Sequence, residues 1–232
     1  MQSLDLYAII EPYLDFEEEI HTLYTKIGSL VIQNDCKNVI DIGCGQGEFC
    51  RLLQHNGVNT FGIDLSAKQI EIAKQKDLHV QCIDLALVKE KFDCATAVFD
   101  VINYIPKEQL SGFFTNAYNC LETHGKFIFD VNSLFGFEEV AQGTLSIDTD
   151  EKFICIDGVF EEKILYTNMN LFEKTSSGCY IKTSGVIQQY YHEIEALKKI
   201  LKKCGFKTIK VENFNLHQYE EDDKMIFICS KD

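Results

Sequence analysis

The run Val39-Ile40-Asp41-Ile42-Gly43-Cys44-Gly45-Gln46-Gly47-Glu48-Phe49 leaves this chain few choices. A short, largely apolar strand enters a turn with glycine at every second position and passes at once into a helix. Glycines there let a ligand approach the backbone where a Cβ would obstruct it. Alone, the triplet admits two readings, a ligand cradle or a plain β-α turn.

The neighbouring segments repeat the same step. Asn38–Ile42 reads as a buried strand and Gly47–His55 as a helix. Val58–Ile63 is a strand, Ser66–Lys76 a helix with Ser66 as N-cap, and Leu78–Ile83 a third strand. Phe92–Phe99 follows, then a helix Lys107–Leu121 opened by Pro106, then the strand Phe127–Val131. Such β-α units predict a parallel sheet covered on both faces. From Asn132 the texture changes: 144–190 is strand-rich, with turn signals at Asp157-Gly158 and Ser176-Ser177-Gly178. An antiparallel insertion is expected there. A helix His192–Cys204, stopped by Gly205, leads to strands Phe206–Val211 and Lys224–Ser230, which lack a helix between them and should pair antiparallel. Upstream, 16–33 places Phe16, Ile20, Leu23, Tyr24 and Ile27 on one helical stripe. The chain divides into an N-terminal helical segment (1–36), a core (37–131 with 192–232) and the insertion (132–191).

Acids recur where the predicted strands end. Asp64 closes the second strand, 19 residues beyond Gly45, where its two oxygens can take both hydroxyls of a ribose. Nicotinamide enzymes share that acid. However, this turn lacks the Gly-x-Gly-x-x-Gly spacing, and Asp41 beside it would repel a pyrophosphate while suiting an ammonium and a sulfonium. After the third strand, Asp84 can accept from an adenine amine while Leu85 covers a ring face. The fourth ends in Val98-Phe99-Asp100-Val101-Ile102-Asn103-Tyr104. Singly, each acid reads as a solvated loop residue or a helix cap. Together they occupy the carboxyl ends of four successive strands, where open α/β sheets bind ligands.

On these residues, segment 39–131 resembles the core of the class I S-adenosylmethionine-dependent methyltransferases. The resemblance implies an α/β fold with a Rossmann-like, seven-stranded, mostly parallel sheet whose last strand is antiparallel, carrying the β insertion as a substrate cap. It implies S-adenosyl-L-methionine as cofactor, held by Tyr7, Asp41, Gly43, Gly45, Gly47, Asp64, Leu65, Asp84, Leu85 and Phe99. The stretch Gly125-Lys126-Phe127-Ile128-Phe129-Asp130-Val131-Asn132-Ser133 resembles small bacterial members of that class and is similar to enzymes that N-methylate amino sugars. Those enzymes begin with a tyrosine-bearing helix that closes over the cofactor. Leu6-Tyr7, with Tyr13, corresponds to it, although the usual Tyr-Asp pair reads Tyr7-Ala8 here.

Methyl transfer is an in-line displacement, so an enzyme mainly holds the acceptor near attack distance and excludes water. Asp100, Asn103 and Tyr104, with Tyr7, are the candidates facing the methyl group, and Tyr190-Tyr191-His192 are candidates for the far wall. His192 has two readings, a base suited to neutral pH or the solvated start of a helix. His21, His55, His79, His124 and His217 have no ligand spacing, and no metal site is expected.

Acidic residues number 36 against 22 basic ones, a formal charge of −14, and Arg51 is the lone arginine. That balance disfavours phosphate backbones and anionic membranes. The segment after the fourth strand also lacks the Asp-Pro-Pro-Tyr or Asn-Pro-Pro-Tyr of base-modifying relatives. A small-molecule, amine-bearing substrate is expected, without nucleic acid or membrane. The rivals are a protein or tRNA target and a non-catalytic cofactor-binding protein. Ten cysteines without a Cys-x-x-Cys read as reduced thiols packed in a cytoplasmic protein, and no signal peptide or membrane span is read.

Overall fold

In a computed structural model, which describes residues 3–232, the glycine-bounded strand lies inside a seven-stranded sheet. The strands are β1 (Asn38–Ile42), β2 (Asn59–Asp64), β3 (Val80–Cys82), β4 (Phe92–Ala97), β5 (Leu121–Asn132), β10 (Thr208–Phe214) and β11 (Lys224–Ser230). Their order is β10-β11-β5-β4-β1-β2-β3, and only β11 runs against its neighbours. Helices α2 (Glu17–Gln33), α3 (Glu48–His55), α4 (Ala67–Lys74), α5 (Leu110–Asn119) and α6 (Ile194–Lys203) flank it. Ser66 caps α4 as expected, its hydroxyl accepting the Gln69 N–H at 3.2 Å.

Strand alternation sorts the core into two layers. Phe127, Phe129 and Val131 of β5 face one side and pack with Phe114 of α5, Leu197 and Leu201 of α6, and Phe227. Ile128 faces the other side, toward Leu23, Ile27 and Leu30 of α2 and Phe49 of α3. Phe129 and Phe227 stack across the β5–β11 pair at 4.7 Å, an arrangement worth about 1 kcal/mol beyond the buried area.

The insertion is a four-stranded antiparallel sheet of β6 (Gly143–Asp148), β7 (Lys152–Glu161), β8 (Ile164–Lys174) and β9 (Tyr180–Tyr190). The N-terminal helix α1 (Ser3–Ile10) packs Leu6 and Ile10 against Ile154, Met169, Leu171 and Ile187 of that sheet. At its other side Asp5 accepts the Ser66 hydroxyl at 2.7 Å, tying α1 to the start of α4. One helix thus bridges the inserted sheet and the ligand-facing edge of the main one.

The starts of β5 and α5 differ most from expectation. β5 begins at Leu121 instead of Phe127, because Leu121 pairs with Phe92 ahead of an irregularity in the β4–β5 register. Helix α5 begins at Leu110, three residues later than Pro106-Lys107 signalled. Six cysteines are buried (36, 44, 50, 94, 120 and 229), Cys82 and Cys179 are exposed, and all ten are free thiols.

Candidate active site

The carboxyl ends of β1, β2 and β4 open into one cleft of about 1830 Å³. A single small-ligand site rarely exceeds ~1,000 Å³, so the cleft admits two ligands side by side. Gly43, Cys44, Gly45 and Gln46 line it. The Gly43 and Cys44 amides both donate to the Ile63 carbonyl, at 2.7 and 3.0 Å, pinning the turn to β2. Gly45 adopts φ +52°, and an added Cβ would meet nothing within 4 Å. That face of the backbone is open to the cleft.

The Gly45 N–H donates to Asp64 Oδ2 at 2.9 Å, and the Ser66 N–H to Oδ1 at 2.8 Å. Burial raises the Asp64 carboxyl above its ordinary pKa, opposed by these backbone donors. Each oxygen keeps a lone pair for a further hydroxyl. Leu65, 62% exposed, and the buried Leu85 stand along the same wall. Asp84 lines it too, with Oδ1 taken by the Ala86 N–H at 2.7 Å.

Two residues expected at the cofactor do not line the cleft. Asp41 is 2% exposed and accepts bonds from Thr96 Oγ1 at 2.8 Å and Cys50 Sγ at 3.6 Å. Alternation along β1 puts it with Val39 on the α3 side, while Ile40 and Ile42 face the other layer. Burial pushes its carboxyl up to about 7. Gly47 is the N-cap of α3 at φ +82°, and a Cβ there would come within 2.3 Å of Leu78. Both that φ and the contact with Leu78 require a glycine at this position.

A model of the methyltransferase domain matches residues 16–211, a span holding the glycine turn, the strand-end acids and the inserted sheet. The chain belongs to that family. A protein of Geobacillus sp. (strain WCH70) that carries a methyltransferase name is 24% identical over 209 residues, 84% of each chain. Among solved structures, an S-adenosylmethionine-dependent methyltransferase from Clostridium acetobutylicum superposes with a TM-score of 0.77 at 21% identity, over 97% of this chain and 95% of that one. The sugar N-methyltransferase KedS8 from Streptoalloteichus sp. gives 0.75 at 16% identity, over 98% and 92%.

In this methyltransferase the far end of the cleft is built on a strained turn. Phe99 and Asp100 both have positive φ, +61° and +65°, which non-glycine residues rarely adopt. Asp130 of β5 compensates: its carboxylate accepts the Phe99 N–H at 2.7 Å and the Asp100 N–H at 3.3 Å. Lys224, at the head of β11, donates to Asp130 Oδ2 and Asn132 Oδ1, both at 2.9 Å, and pairs with Asp100. Burial pushes the Asp130 carboxyl up to about 6, with Lys224 opposing the rise. Burial also works against the lysine's charge, but Asp100 and Asp130 outweigh it and raise its pKa.

Tyr7 of α1, Tyr104 and Phe99 line this end with Asp100. Burial, first, and then neighbouring acids raise both phenols well above their ordinary values, so both are neutral donors. Tyr24 of α2 also lines the cleft and meets the Phe99 ring edge-on at 5.5 Å. Glu11 is a further cleft-lining carboxylate, accepting from Gln46 Nε2 at 3.1 Å and Gln69 Nε2 at 3.0 Å, and burial raises its pKa. Sequence reading missed Glu11 and Lys224. A three-residue turn, Glu11–Tyr13, has no periodicity to flag it. Lys224 merely heads an apolar strand until the register sets it opposite Asn132.

Asn103 and His192 were expected at the reacting end, and neither lines the cleft. Asn103 is fully buried: Nδ2 donates to the Tyr190 carbonyl at 2.9 Å, and Oδ1 accepts the Asn132 N–H at 3.0 Å. It braces the inserted sheet against β5. His192 is 5% exposed, with Nε2 3.0 Å from the Ile105 carbonyl, and burial lowers its pKa. Tyr190 and Tyr191 stay out of the cleft as well, and Thr167 with Val186–Gln189 supply the inserted sheet's wall. Among the described residues no group of His, Cys, Asp or Glu is arranged to hold a metal ion, and no helix is long and apolar enough to cross a membrane.

Proposed function

We propose that this methyltransferase moves a methyl group from S-adenosylmethionine to a nitrogen or oxygen of a small, amine-bearing metabolite. The observation that carries the reading is a single cleft in which the open face of Gly45 and the carboxylate of Asp64 share one wall with the acid-rich reacting end.

The residues present fit the donor. Gly45 leaves the space a Cβ would fill, and Asp64 keeps lone pairs for a vicinal diol. Leu65 and Leu85 offer apolar cover to a flat ring, with one oxygen of Asp84 beside them for an amine. Glu11, Asp64 and Asp100 suit a ligand bearing positive charge. When bound, the donor supplies an electrophilic methyl group on a cationic sulfur. The chain's own part is to orient and to exclude water. Tyr7 and Tyr104 present phenol donors at the reacting end, and the packing of α1 on the inserted sheet closes the cleft above them.

Charge supports a small cationic acceptor over nucleic acid. The lysine and arginine lining the described cleft are Arg51 and Lys224, and both are engaged, Arg51 by Glu48 and Lys224 by Asp100 and Asp130. Lys224 is buried, and Arg51 alone is a thin basic surface for a phosphate backbone. The likeness to the sugar N-methyltransferase KedS8 supports an amine as acceptor.

Calorimetric titration with S-adenosylhomocysteine tests the donor site: binding by the wild type, and at least a tenfold loss in Asp64→Ala, are expected. No binding by the wild type overturns the reading. Donor consumption over a panel of amino sugars, amines and alcohols tests the acceptor. Turnover on a protein or tRNA fraction in place of that panel would replace the small molecule.

A further inference from the structure

The loop between β10 and β11 holds a pair of titratable side chains that the roles above leave unused. His217 Nδ1 stands 2.5 Å from Asp223 Oδ2. Asp223 is 1% exposed, and its Oδ1 accepts the Leu216 N–H at 2.6 Å. Burial works against its charge, but the bonds from His217 and Leu216 outweigh it, and the carboxyl lies below its ordinary pKa. The backbone of Asp223 is equally fixed, because its carbonyl accepts the Ser133 N–H at 2.9 Å. Gly136 packs so closely on that carbonyl that a Cβ would come within 2.4 Å.

An ionised carboxylate only accepts, so Nδ1 of His217 must carry the hydrogen and a neutral ring has its lone pair on Nε2. Nε2 has no hydrogen bond among the described residues, and the His217 side chain remains 27% exposed. The ring lines the same cleft as Asp100 and Lys224. The Tyr219 ring lies alongside it at 6.1 Å. Asp223 and Lys224 are consecutive at the head of β11, so one short segment holds His217 with the first and Asp100 with the second. Of the charged groups beside the pair, Lys224 is held by Asp100 and Asp130 and Asp222 by Asn213, while Glu220 and Glu221 of the same loop are exposed.

We propose that the His217–Asp223 pair is the proton acceptor of the methyl transfer, an inference that rests on the functional reading above. The acceptor's nitrogen or oxygen uses a lone pair to bond the methyl carbon. The carbon–sulfur bond breaks with its electron pair left on sulfur. The proton of the acceptor atom passes to Nε2 of His217, and Asp223 holds the resulting imidazolium. The acceptor is therefore one that enters with a proton to lose: an ammonium gives it to Nε2 first, which frees the nitrogen lone pair, and a hydroxyl gives it up as its oxygen bonds the carbon.

Nitrogen-detected NMR of the whole chain with S-adenosylhomocysteine bound reads the tautomer without any turnover. A single ring proton on Nδ1 is expected; a single proton on Nε2, or a ring carrying both protons at the pH of turnover, overturns the proposal. In steady-state kinetics with the panel's best acceptor, H217Q should lose about 100-fold in kcat, with acceptor KM and S-adenosylhomocysteine affinity within twofold of wild type. Wild-type kcat in H217Q overturns the proposal. D223N should lower kcat in the same way, and H217Q stands as the test if D223N fails to fold. A wild type that binds S-adenosylhomocysteine but methylates no member of the panel counts against the functional reading, and the tautomer still decides the pair.

Discussion

Lys224 Nζ lies 2.9 Å from Asp130 Oδ2, and the two side chains are 3% and 0% exposed. The lysine comes from β11 and the aspartate from β5, paired antiparallel at this point. Asp130 also holds the amides of Phe99 and Asp100, so the ion pair and the strained turn depend on one carboxylate.

Removing the lysine should therefore loosen the reacting end as well as the sheet. K224M leaves Asp130 buried without its cation, a loss of about 3–5 kcal/mol in urea unfolding at neutral pH. The double variant K224M/D130N should recover part of it, since no unpaired charge remains at position 130. Equal stability of the single and double variants would contradict the pairing.

Asp41 makes stability depend on pH. Its folded pKa is about 7, against about 3.9 in an unfolded chain. The native state thus binds the proton more tightly, so the contribution is full below pH 4 and is lost as pH rises through 7. Thermal melts of the wild type should fall in midpoint from pH 5 to pH 8. D41N should flatten that decline, leaving the part due to Asp130.

Two glycines of one turn should separate stability from binding. G47A combines a positive φ with a Cβ 2.3 Å from Leu78, and should cost over ~2 kcal/mol in unfolding. G45A meets no atom and should cost about 1 kcal/mol while weakening S-adenosylhomocysteine at least tenfold by calorimetry. The reverse ranking would reassign both residues.

Asn103 should behave as a brace. N103A orphans the Asn132 N–H and the Tyr190 carbonyl, a loss of about 2–3 kcal/mol by denaturant melt. Affinity for S-adenosylhomocysteine should stay within about threefold.

The contrast between these residues explains what the sequence made legible. The glycine turn, Asp64, Asp84 and each β-α step are local signals, and they carry the sheet and one wall of the cleft. Asp41 looked equivalent to the other strand-end acids, yet it lies one position inside the strand, where the two-residue period turns it toward α3. His192 and His217 were both visible as isolated histidines. What separates them is partnership across long sequence distance or through a loop: a carbonyl 87 residues away buries the first, and a buried aspartate orients the second toward the cleft. Lys224 finds its partners only when β11 lies against β5 and the turn after β4.

That last dependence reaches into biosynthesis. β11 comes last in chain order among the strands of this sheet, yet it occupies an interior slot between β5 and β10. Until it arrives, β5 has a bare edge, β10 has nothing to pair with in the sheet, and the buried acid of β5 has no cation. Insertion of β11 and neutralisation of that acid therefore coincide, and Lys224 then completes the contacts around the Phe99–Asp100 turn. A nascent chain can own a complete glycine turn while its reacting end is still unmade.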